Sequence, residues 1–275
     1  MSSNGDASAR DRGARIERVA RAAMPAVMGT LALVAWDLVV RLNHIPPYIL
    51  PGPLRVAQSL WDDWGSLLPA LEVTLTITFM ALAVAVVGGV GLAVLFAQSK
   101  WIEISFFPYA VVLQVTPVIA VAPLILVYVD NTHVAILICA WIVAFFPILS
   151  NTTLGLNSAD HNLVNLFQLY GATRWQTLRF LRVPAAMPYF LGGLRIAGGL
   201  SLIGSVVAEF AAGTAGQGSG LAFRILEAGY RLNMPRMFAA LALISATGIV
   251  IFLFFTALSH LALRRWHESA VKREN

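Results

Sequence analysis

Apolar residues along the chain gather into six long segments, separated by shorter polar or basic stretches. A run of about 20 apolar residues has the length of a helix that crosses a lipid bilayer. The pattern therefore predicts an all-α, polytopic membrane protein with six transmembrane helices. The predicted spans are 24–42, 70–97, 104–128, 134–154, 188–208 and 238–263. Residues 24–263 then form one transmembrane domain, with a basic tail at 1–23 and a short tail at 264–275.

Composition supports the membrane prediction and excludes several other classes. Charged residues make up 12% of the chain, about half the share that is usual in soluble domains. The single cysteine, Cys139, lies inside an apolar segment, so neither an internal disulfide framework nor a thiolate metal site is expected. The net charge of +5 comes from basic residues at the ends of the predicted spans. We attribute that charge to membrane topology and expect a lipid partner but no nucleic-acid partner.

Basic residues are distributed unevenly between the two sides of these spans. With the N-terminus inside, thirteen Lys and Arg residues lie in inner segments and five lie in outer segments. The inner set is Arg10, Arg12, Arg15, Arg18, Arg21, Lys100, Arg174, Arg179, Arg182, Arg264, Arg265, Lys272 and Arg273, and the outer set is Arg41, Arg55, Arg224, Arg231 and Arg236. Because cytoplasmic segments carry the excess of positive charge, both termini are predicted to be cytoplasmic. Arg224, Arg231 and Arg236 run against this rule.

One stretch between two spans, residues 162–188, is unusually rich in arginine, and we call it the elbow. Residues 162–170 can form a short helix, which Gly171 breaks. Thr173 is followed three residues later by Gln176, the spacing of a capping box that starts a second helix. Pro184 is predicted to end that second helix. On these features alone, the elbow also suits an ordinary basic cytoplasmic loop.

The elbow resembles the EAA loop of binding-protein-dependent ABC transporter permeases. In that loop, Glu-Ala-Ala is followed after three residues by Gly and, after nine more, by Ile-x-Leu-Pro. Here nine residues separate Gly171 from Leu181, and Pro184 completes the second half, whereas Asn165 stands where the glutamate would be. The wider run from residue 170 to 210 is similar to permeases that import nitrate, sulfonates, taurine and pyrimidine-type precursors.

The resemblance implies a type I ABC importer permease fold in the cell inner membrane. It also implies two separate ATPase subunits that carry ATP and Mg, a periplasmic or surface solute-binding protein, and a second permease copy in a homodimer. Residues 155–187 would be the cytoplasmic coupling loop that docks into the ATPase. The coupling residues that it implies are Asn165, Tyr170, Gly171, Ala172, Thr173, Arg174, Trp175, Leu181 and Pro184.

Polar and small residues within the predicted spans suggest a translocation pathway. The third span contains Pro117 next to Gln114 and Thr116, and a proline in a span is tolerated where a cavity or a neighbour satisfies the freed carbonyl. A kink needed only for packing is an equal alternative. The fifth span carries a small-residue row on one face, Gly193, Ala197, Ser201 and Ser205. The candidate pathway residues are Gln114, Thr116, Pro117, Arg195, Ser201, Ser205 and Glu209.

The sequence contains none of the motifs that mark common enzyme sites. There is no GxxxxGK[ST] phosphate loop, no HExxH and no GxSxG. The five histidines are scattered near segment ends, and the glycine-rich stretch 213–220 does not join a strand to a helix, so we interpret it as a flexible turn. We therefore expect no catalytic residue, no metal and no cofactor in this chain, with ATP hydrolysis on a separate subunit.

Two other functions compete with an ATP-driven importer. A secondary transporter driven by an ion gradient usually has ionisable residues near mid-membrane and repeated halves. Asp37, Glu72, Arg195 and Glu209 lie away from span centres, and no internal repeat is evident. A membrane scaffold or enzyme without transport leaves the spacing of the elbow unexplained. The resemblance does not identify the solute, since it allows anions such as nitrate or sulfonates as well as flat heterocycles.

Overall fold

The computed structural model describes residues 3–213 and 219–264, with side chains from residue 23 onward. Every regular element in these ranges is helical, which confirms the predicted all-α class. In chain order the helices are α1 (Ser3–Leu42), α2 (Pro53–Asp62), α3 (Trp64–Gln98), α4 (Lys100–Val115), α5 (Val118–Tyr128), α6 (Thr132–Leu156), α7 (His161–Leu169), α8 (Arg174–Thr177), α9 (Val183–Ala212), α10 (Leu221–Tyr230) and α11 (Met234–Leu263). A π-helical turn, Leu178–Arg182, joins α8 to α9.

Five stretches of the described helices are long and apolar enough to cross a membrane. They are Ala23–Leu42 within α1, α3, α6, the continuous stretch Arg174–Ala212, and α11. A sixth span results if α4 and α5 are counted as one broken helix, because they are bent by 99° at their junction. The third predicted span is thus sharply broken rather than kinked. Pro117 has no N–H and disfavours helical backbone at Thr116, where ψ is 119°.

Two prolines lie in different elements from those that the sequence suggested. Pro69, which the predicted span boundaries placed in a loop, lies inside α3, since that helix begins at Trp64. Pro184 was predicted to end the second elbow helix, and this is wrong: it lies in the first turn of α9. Because proline has no N–H to donate to the carbonyl of Phe180, the α-helical pattern is interrupted here. The backbone passes through the wider π turn instead and continues into the membrane.

The core forms where α6 packs between α3 and α9, and small residues set how closely these helices approach. A Cβ atom added at Gly204 would lie 2.8 Å from the Cα of Ala140, and one at Gly193 would lie 2.9 Å from the carbonyl oxygen of Pro147. The small-residue row predicted on α9 is confirmed as a buried face, with Ala197 and Ser201 fully buried. In lipid, such close backbone approach stabilises helix pairs through dispersion contacts.

Helix α1 lies at the edge of this core. None of its most apolar window is buried within the protomer, and Trp36 makes its aromatic contact with Phe238 of α11, at 5.9 Å between ring centroids. Asp37 and Arg41, one helical turn apart on α1, form an ion pair at 2.7 Å. The backbone of the predicted tail 1–23 is helical from Ser3. Except for Arg264, the predicted C-terminal tail lies outside the described residues, as do residues 214–218 of the glycine-rich turn.

Candidate coupling site and outer helix

The elbow begins with α7, which is followed by a tight turn at Gly171. The side chain of Asp160 caps the start of α7 by accepting a hydrogen bond of 2.8 Å from the N–H of Asn162. At the other end, Gly171 has φ +70°, a left-handed conformation that costs other residues about 1 kcal/mol or more. Its N–H donates to the carbonyl of Gln168 at 3.0 Å. The predicted break at Gly171 is confirmed.

The predicted capping box is also confirmed. The N–H of Thr173 donates to the side-chain oxygen of Gln176 at 2.7 Å, and the N–H of Gln176 donates to the Thr173 hydroxyl at 3.3 Å. These reciprocal bonds satisfy two N–H groups that a helix start otherwise leaves unpaired. They allow α8 to begin within three residues of the turn at Gly171, so the elbow has a defined shape.

The elbow exposes large apolar side chains. Leu169 is 85% exposed, Tyr170 84%, Trp175 64% and Phe180 64%. Beside them lies a groove of about 450 Å³ that is lined by Leu166, Phe167, Tyr170, Gly171, Ala172, Gln176 and Phe180. Apolar side chains clustered on a shaped, non-spanning element are typical of a protein–protein contact.

The base of the elbow is anchored to the helical core. Leu178 is only 2% exposed, and Nη1 of Arg182 donates to the carbonyl oxygen of Ala97 at 3.1 Å. That carbonyl lies in the last turn of α3, where helix carbonyls lack intrahelical partners. Sequence reasoning did not select Leu178 or Arg182 as site residues. The only available signal was the position of Arg182 inside the Leu-Arg-Val-Pro segment.

The predicted coupling residues fall into two groups. Seven of them lie on α7, the turn or α8: Asn165, Tyr170, Gly171, Ala172, Thr173, Arg174 and Trp175. All of these except the half-buried Ala172 are exposed. Leu181 and Pro184 are half-buried at the base, in the π turn and the first turn of α9. The structure therefore places these two where they support the elbow rather than on its exposed tip.

The seven candidate pathway residues do not lie on one surface of the protomer. Gln114 and Pro117 are exposed and Thr116 is half-buried, all at or near the break between α4 and α5. Arg195 is exposed on α9, with its guanidinium 5.7 Å from the ring centroid of Phe252. Ser201, Ser205 and Glu209 lie in the interior of the protomer. There the hydroxyl oxygens of Ser205 and Thr78 are 2.9 Å apart, joining α9 to α3.

Glu209 holds a short helix at the end of the spans opposite the elbow, which we call the outer end. Its carboxylate is 3% exposed and accepts hydrogen bonds from the Thr74 hydroxyl at 2.8 Å and from the N–H of Ala222 at 3.0 Å. The Thr74 oxygen in turn accepts from the N–H of Leu221 at 2.9 Å. Two N–H groups at the start of α10 are thereby satisfied inside the protein. Sequence reasoning identified Glu209 but not these partners.

Gly220 makes this arrangement possible. A Cβ atom at position 220 would collide with the carboxyl group of Glu209. The backbone before α10 can therefore approach the carboxylate only because this residue has no side chain. The helix start, the carboxylate and the Thr74 hydroxyl form one buried unit that joins α3, α9 and α10.

A cluster of ion pairs fastens the outer surface of α10. Glu227 pairs with Arg224 at 3.0 Å and with Arg231 at 2.9 Å. Arg236 donates to the Ser66 hydroxyl at 3.0 Å and lies 3.7 Å from the carboxylate of Asp63. The three arginines that ran against the charge rule each have an acidic partner here. Their position therefore reflects local pairing.

The charged form of Glu227 is favoured in this cluster. The hydrogen bond from Arg224 lowers the pKa of Glu227 below its ordinary value, and the positive charges of Arg236 and Arg231 act in the same direction. Within residues 3–213 and 219–264, no group of three or more His, Cys, Asp or Glu side chains is arranged to hold a metal ion. The polar chemistry at this end is that of ion pairs and helix capping.

Comparison with known proteins links these features to a transport family. The family described as "Binding-protein-dependent transport system inner membrane component" matches residues 85–266. A riboflavin transport system permease protein of Chloroflexus aurantiacus is 32% identical over 241 residues, covering 87% of this chain and 88% of the relative. A formylaminopyrimidine transport permease protein of Halalkalibacterium halodurans is 31% identical, covering 90% and 98%. The taurine transport system permease protein of Escherichia coli is 28% identical, covering 87% and 89%.

A solved structure shares the fold. The crystal structure of an amino acid ABC transporter with histidines superposes with a TM-score of 0.60 at 22% identity, covering 76% of this chain and 97% of that chain. The fold and the sequence relationships agree with the apolar helices and with the spacing of the elbow. The chain belongs to the inner membrane component family of binding-protein-dependent transport systems, the permeases of ABC importers.

Proposed function

We propose that two copies of this chain form the translocation pathway of an ATP-driven importer, with both termini of each copy in the cytoplasm. A solute-binding protein delivers a small solute to the outer end. Two separate ATPase subunits bind ATP and Mg, and each engages one elbow. Closure of the ATPases shifts the helices between inward-open and outward-open packings, a rigid-body change of the kind found in many transporters. The family assignment leaves the ion-coupled alternative without support.

The exposed aromatic surface of the elbow is the observation that carries this proposal. Tyr170 and Trp175 are exposed on a segment whose shape is fixed by the Gly171 turn and the Thr173–Gln176 capping box. A rigid contact element loses little conformational entropy when it docks. Asn165 is exposed where related elbows carry glutamate. We infer that the contact depends here more on apolar packing than on a carboxylate.

Co-purification with the ATPase encoded nearest this chain tests the proposal. The wild type, Gly171→Pro and Trp175→Ala are compared in detergent. Proline cannot adopt φ +70°, so Gly171→Pro changes the shape of the elbow, whereas Trp175→Ala removes only an exposed apolar side chain. We expect the wild type to retain the ATPase and both variants to lose most of it.

Trp101→Ala is the matched control for this experiment. Trp101 is 82% exposed at the start of α4, outside the elbow, so its removal should leave ATPase binding unchanged. If the wild type retains no ATPase, or if Trp101→Ala weakens binding as much as Trp175→Ala, the proposed role of the elbow is wrong.

We further propose that Gln114, Thr116, Pro117 and Arg195 line the pathway. These residues are at least partly exposed on the protomer, where a second copy could face them. Ser201, Ser205 and Glu209 were also predicted to line the pathway, but their burial and hydrogen bonds support a packing role. Substituting Gln114 by Ala should alter transport without loss of thermal stability, and unchanged uptake would contradict this placement.

For the solute, we propose a flat heterocycle. Two relatives that are 32% and 31% identical are named for riboflavin and formylaminopyrimidine, whereas relatives named for taurine and nitrate are 28% and 26% identical. Uptake of riboflavin, a pyrimidine and taurine into proteoliposomes with the cognate binding protein and ATPase distinguishes the classes. Uptake of taurine alone would contradict the heterocycle proposal.

Site-directed labelling tests the proposed orientation. The single cysteine is buried, so a Cys139→Ser background leaves only introduced thiols to react. A cysteine at Asp130, in the turn before α6, should react with an impermeant maleimide applied to intact cells. A cysteine at Ser158, after α6, should react only once the membrane is permeabilised. The reverse pattern would contradict the proposed topology.

A further inference from the structure

A cavity of about 270 Å³ lies between the end of α3 and the elbow. Its polar lining comes from Gln98, Gln168, Arg174, Thr177 and Arg182. These side chains belong to α3, α7, α8 and the π turn. Anything bound there would touch the core helices and the elbow at the same time.

The cavity carries positive charge that the described residues do not neutralise. Arg174 and Arg182 both line it, and neither forms an ion pair with an acidic side chain in the described part of the chain. Residues 97–98 and 164–182, which supply the whole lining, contain no Asp or Glu. Two guanidinium groups facing one cavity repel each other unless an anion lies between them.

The hydrogen-bonding groups of the cavity suit a phosphate group. A guanidinium presents a planar fork of N–H donors that matches phosphate oxygens. Nη1 of Arg182 donates to the carbonyl oxygen of Ala97. This bond fixes the side chain and leaves the other N–H donors of the guanidinium group for a ligand. Gln98 and Gln168 add amide N–H groups to the lining. Such a fixed arginine with amide neighbours is a better phosphate ligand than a free surface arginine.

A second groove adjoins this cavity. It shares Ala97 and Gln98 with the first and adds Lys100, Glu103, Ile104 and Phe107. An apolar wall therefore lies next to the two arginines, together with Lys100, whose positive charge is opposed within this groove by Glu103. Basic pockets at the ends of membrane helices bind the headgroups of anionic lipids, and the apolar wall can accommodate the start of an acyl chain.

We propose that this cavity binds a phosphate group, either of an anionic phospholipid headgroup or of free phosphate, and that the bound group braces the elbow against α3. The phosphate lies between Arg174 and Arg182 and accepts hydrogen bonds from both. It links α8 to the base of the elbow and to the end of α3. Occupancy of the cavity therefore stiffens the element that carries the coupling surface.

Thermal unfolding of the full chain in nanodiscs, without ATPase, tests the site. Three conditions are compared: discs of phosphatidylcholine alone, discs of phosphatidylcholine with phosphatidylglycerol, and discs of phosphatidylcholine in a buffer that contains inorganic phosphate. The buffers without phosphate contain chloride at the same ionic strength. We expect the wild-type unfolding midpoint to rise with an anionic probe. Response to phosphatidylglycerol alone identifies a lipid headgroup, whereas response to inorganic phosphate in phosphatidylcholine discs identifies free phosphate.

Arg174→Gln and Arg179→Gln form the matched pair. Each removes one exposed positive charge from the elbow, but Arg179 does not line the cavity. Arg174→Gln should need about ten times more probe than the wild type for the same rise in the unfolding midpoint. Arg179→Gln should need the same probe concentration as the wild type. No response in the wild type, or equal responses in the two variants, would overturn the proposal.

Gln168→Glu provides a second, independent variant. It places a carboxylate beside the two arginines, so it should raise the unfolding midpoint without any probe and abolish the response to added anion. A variant that unfolds normally and still responds like the wild type would overturn the proposal. Because no ATPase is present, these results do not depend on whether the elbow docks as proposed.

Discussion

The carboxylate of Glu209 and the hydroxyl of Thr74 are joined by a hydrogen bond of 2.8 Å, across 135 positions of sequence. Thr74 lies on α3 and Glu209 near the end of α9, so the bond closes the outer end of the helical core. The same two side chains accept the N–H groups of Leu221 and Ala222. The position of α10 therefore depends on a pair of polar groups buried within the protomer.

Replacing Glu209 by Ala should destabilise the protein by about 2–4 kcal/mol. The change leaves the N–H of Ala222 and the hydroxyl of Thr74 without their acceptor, and each buried unpaired group costs about 1–3 kcal/mol. Glu209→Gln keeps one carbonyl acceptor and should cost less. Thermal denaturation in detergent measures both changes. Glu72→Ala, at an exposed position on α3, is the control, and an equal loss there would contradict the prediction.

Gly220→Ala should destabilise the protein strongly, but only while Glu209 is present. The added methyl group would collide with the Glu209 carboxyl group, and overpacking of this kind costs about 1–3 kcal/mol. In a Glu209→Ala background, the same change should cost much less. A double-mutant cycle on unfolding midpoints measures this coupling. Additive effects would show that the two residues do not meet. Gly229→Ala is the control: its added Cβ atom would lie 3.7 Å from the sulfur of Met237, an ordinary contact distance, so its effect on stability should be close to zero.

Acid should weaken the contribution of Glu227. The pKa of Glu227 is lowered from its ordinary 4.5 by the hydrogen bond from Arg224 and by nearby arginines. The contribution of Glu227 to the free energy of unfolding is therefore fully present above pH 4.5. It is lost as the pH falls through the lower pKa of the folded state. At neutral pH, Glu227→Gln should cost about 1 kcal/mol. Unfolding midpoints of wild type and variant should converge on acidification, and a constant difference would contradict this.

Helix packing at Gly204 and Gly199 should respond in opposite ways to alanine. A Cβ atom added at Gly204 would lie 2.8 Å from the Cα of Ala140. A Cβ atom added at Gly199 would have no neighbouring atom of the protomer within 4 Å. Gly204→Ala should therefore cost about 1–3 kcal/mol, and Gly199→Ala should be neutral or stabilising because alanine favours helix. Both are measured by thermal denaturation in detergent. An equal loss at both positions would contradict packing within the protomer as the cause.

The features predicted correctly from sequence are those set by neighbouring residues. The capping box depends on Thr173 and Gln176, three positions apart, and the turn depends on Gly171 alone. Spans are visible because about 20 apolar residues are needed to cross lipid.

The features that sequence reasoning missed depend on distant residues or on competing backbone choices. The partners of Glu209 lie on α3 and α10, and no local pattern joins them. Pro117 allows either a kink or a break, and the packing of α5 against α6 and α9 accompanies a break of 99°. Ser201 and Ser205 have the composition of pathway residues, but their burial is set by α3 and α6.

Pro184 controls the backbone pattern at the base of the elbow. It follows the π turn Leu178–Arg182 and cannot donate to the carbonyl of Phe180. In Pro184→Ala, the restored N–H can make the α-helical bond to Phe180 and favours a regular helix through the turn. A π turn contains about one residue more than an α-helical turn. Its conversion to regular α-helix would therefore rotate α8 about the axis of α9 by roughly 100°.

Pro184→Ala should therefore keep or slightly raise the unfolding midpoint while reducing ATPase capture and solute uptake. Stability does not suffer because alanine favours helix more than proline does, but the rotated elbow presents Trp175 in a different direction. Pro188→Ala is the control. Pro188 lies one turn further along α9, so an N–H restored there would not bond to a carbonyl of the π turn. Full ATPase capture by Pro184→Ala would show that the π turn is not needed for coupling. A parallel loss in both variants would point instead to a general effect on α9.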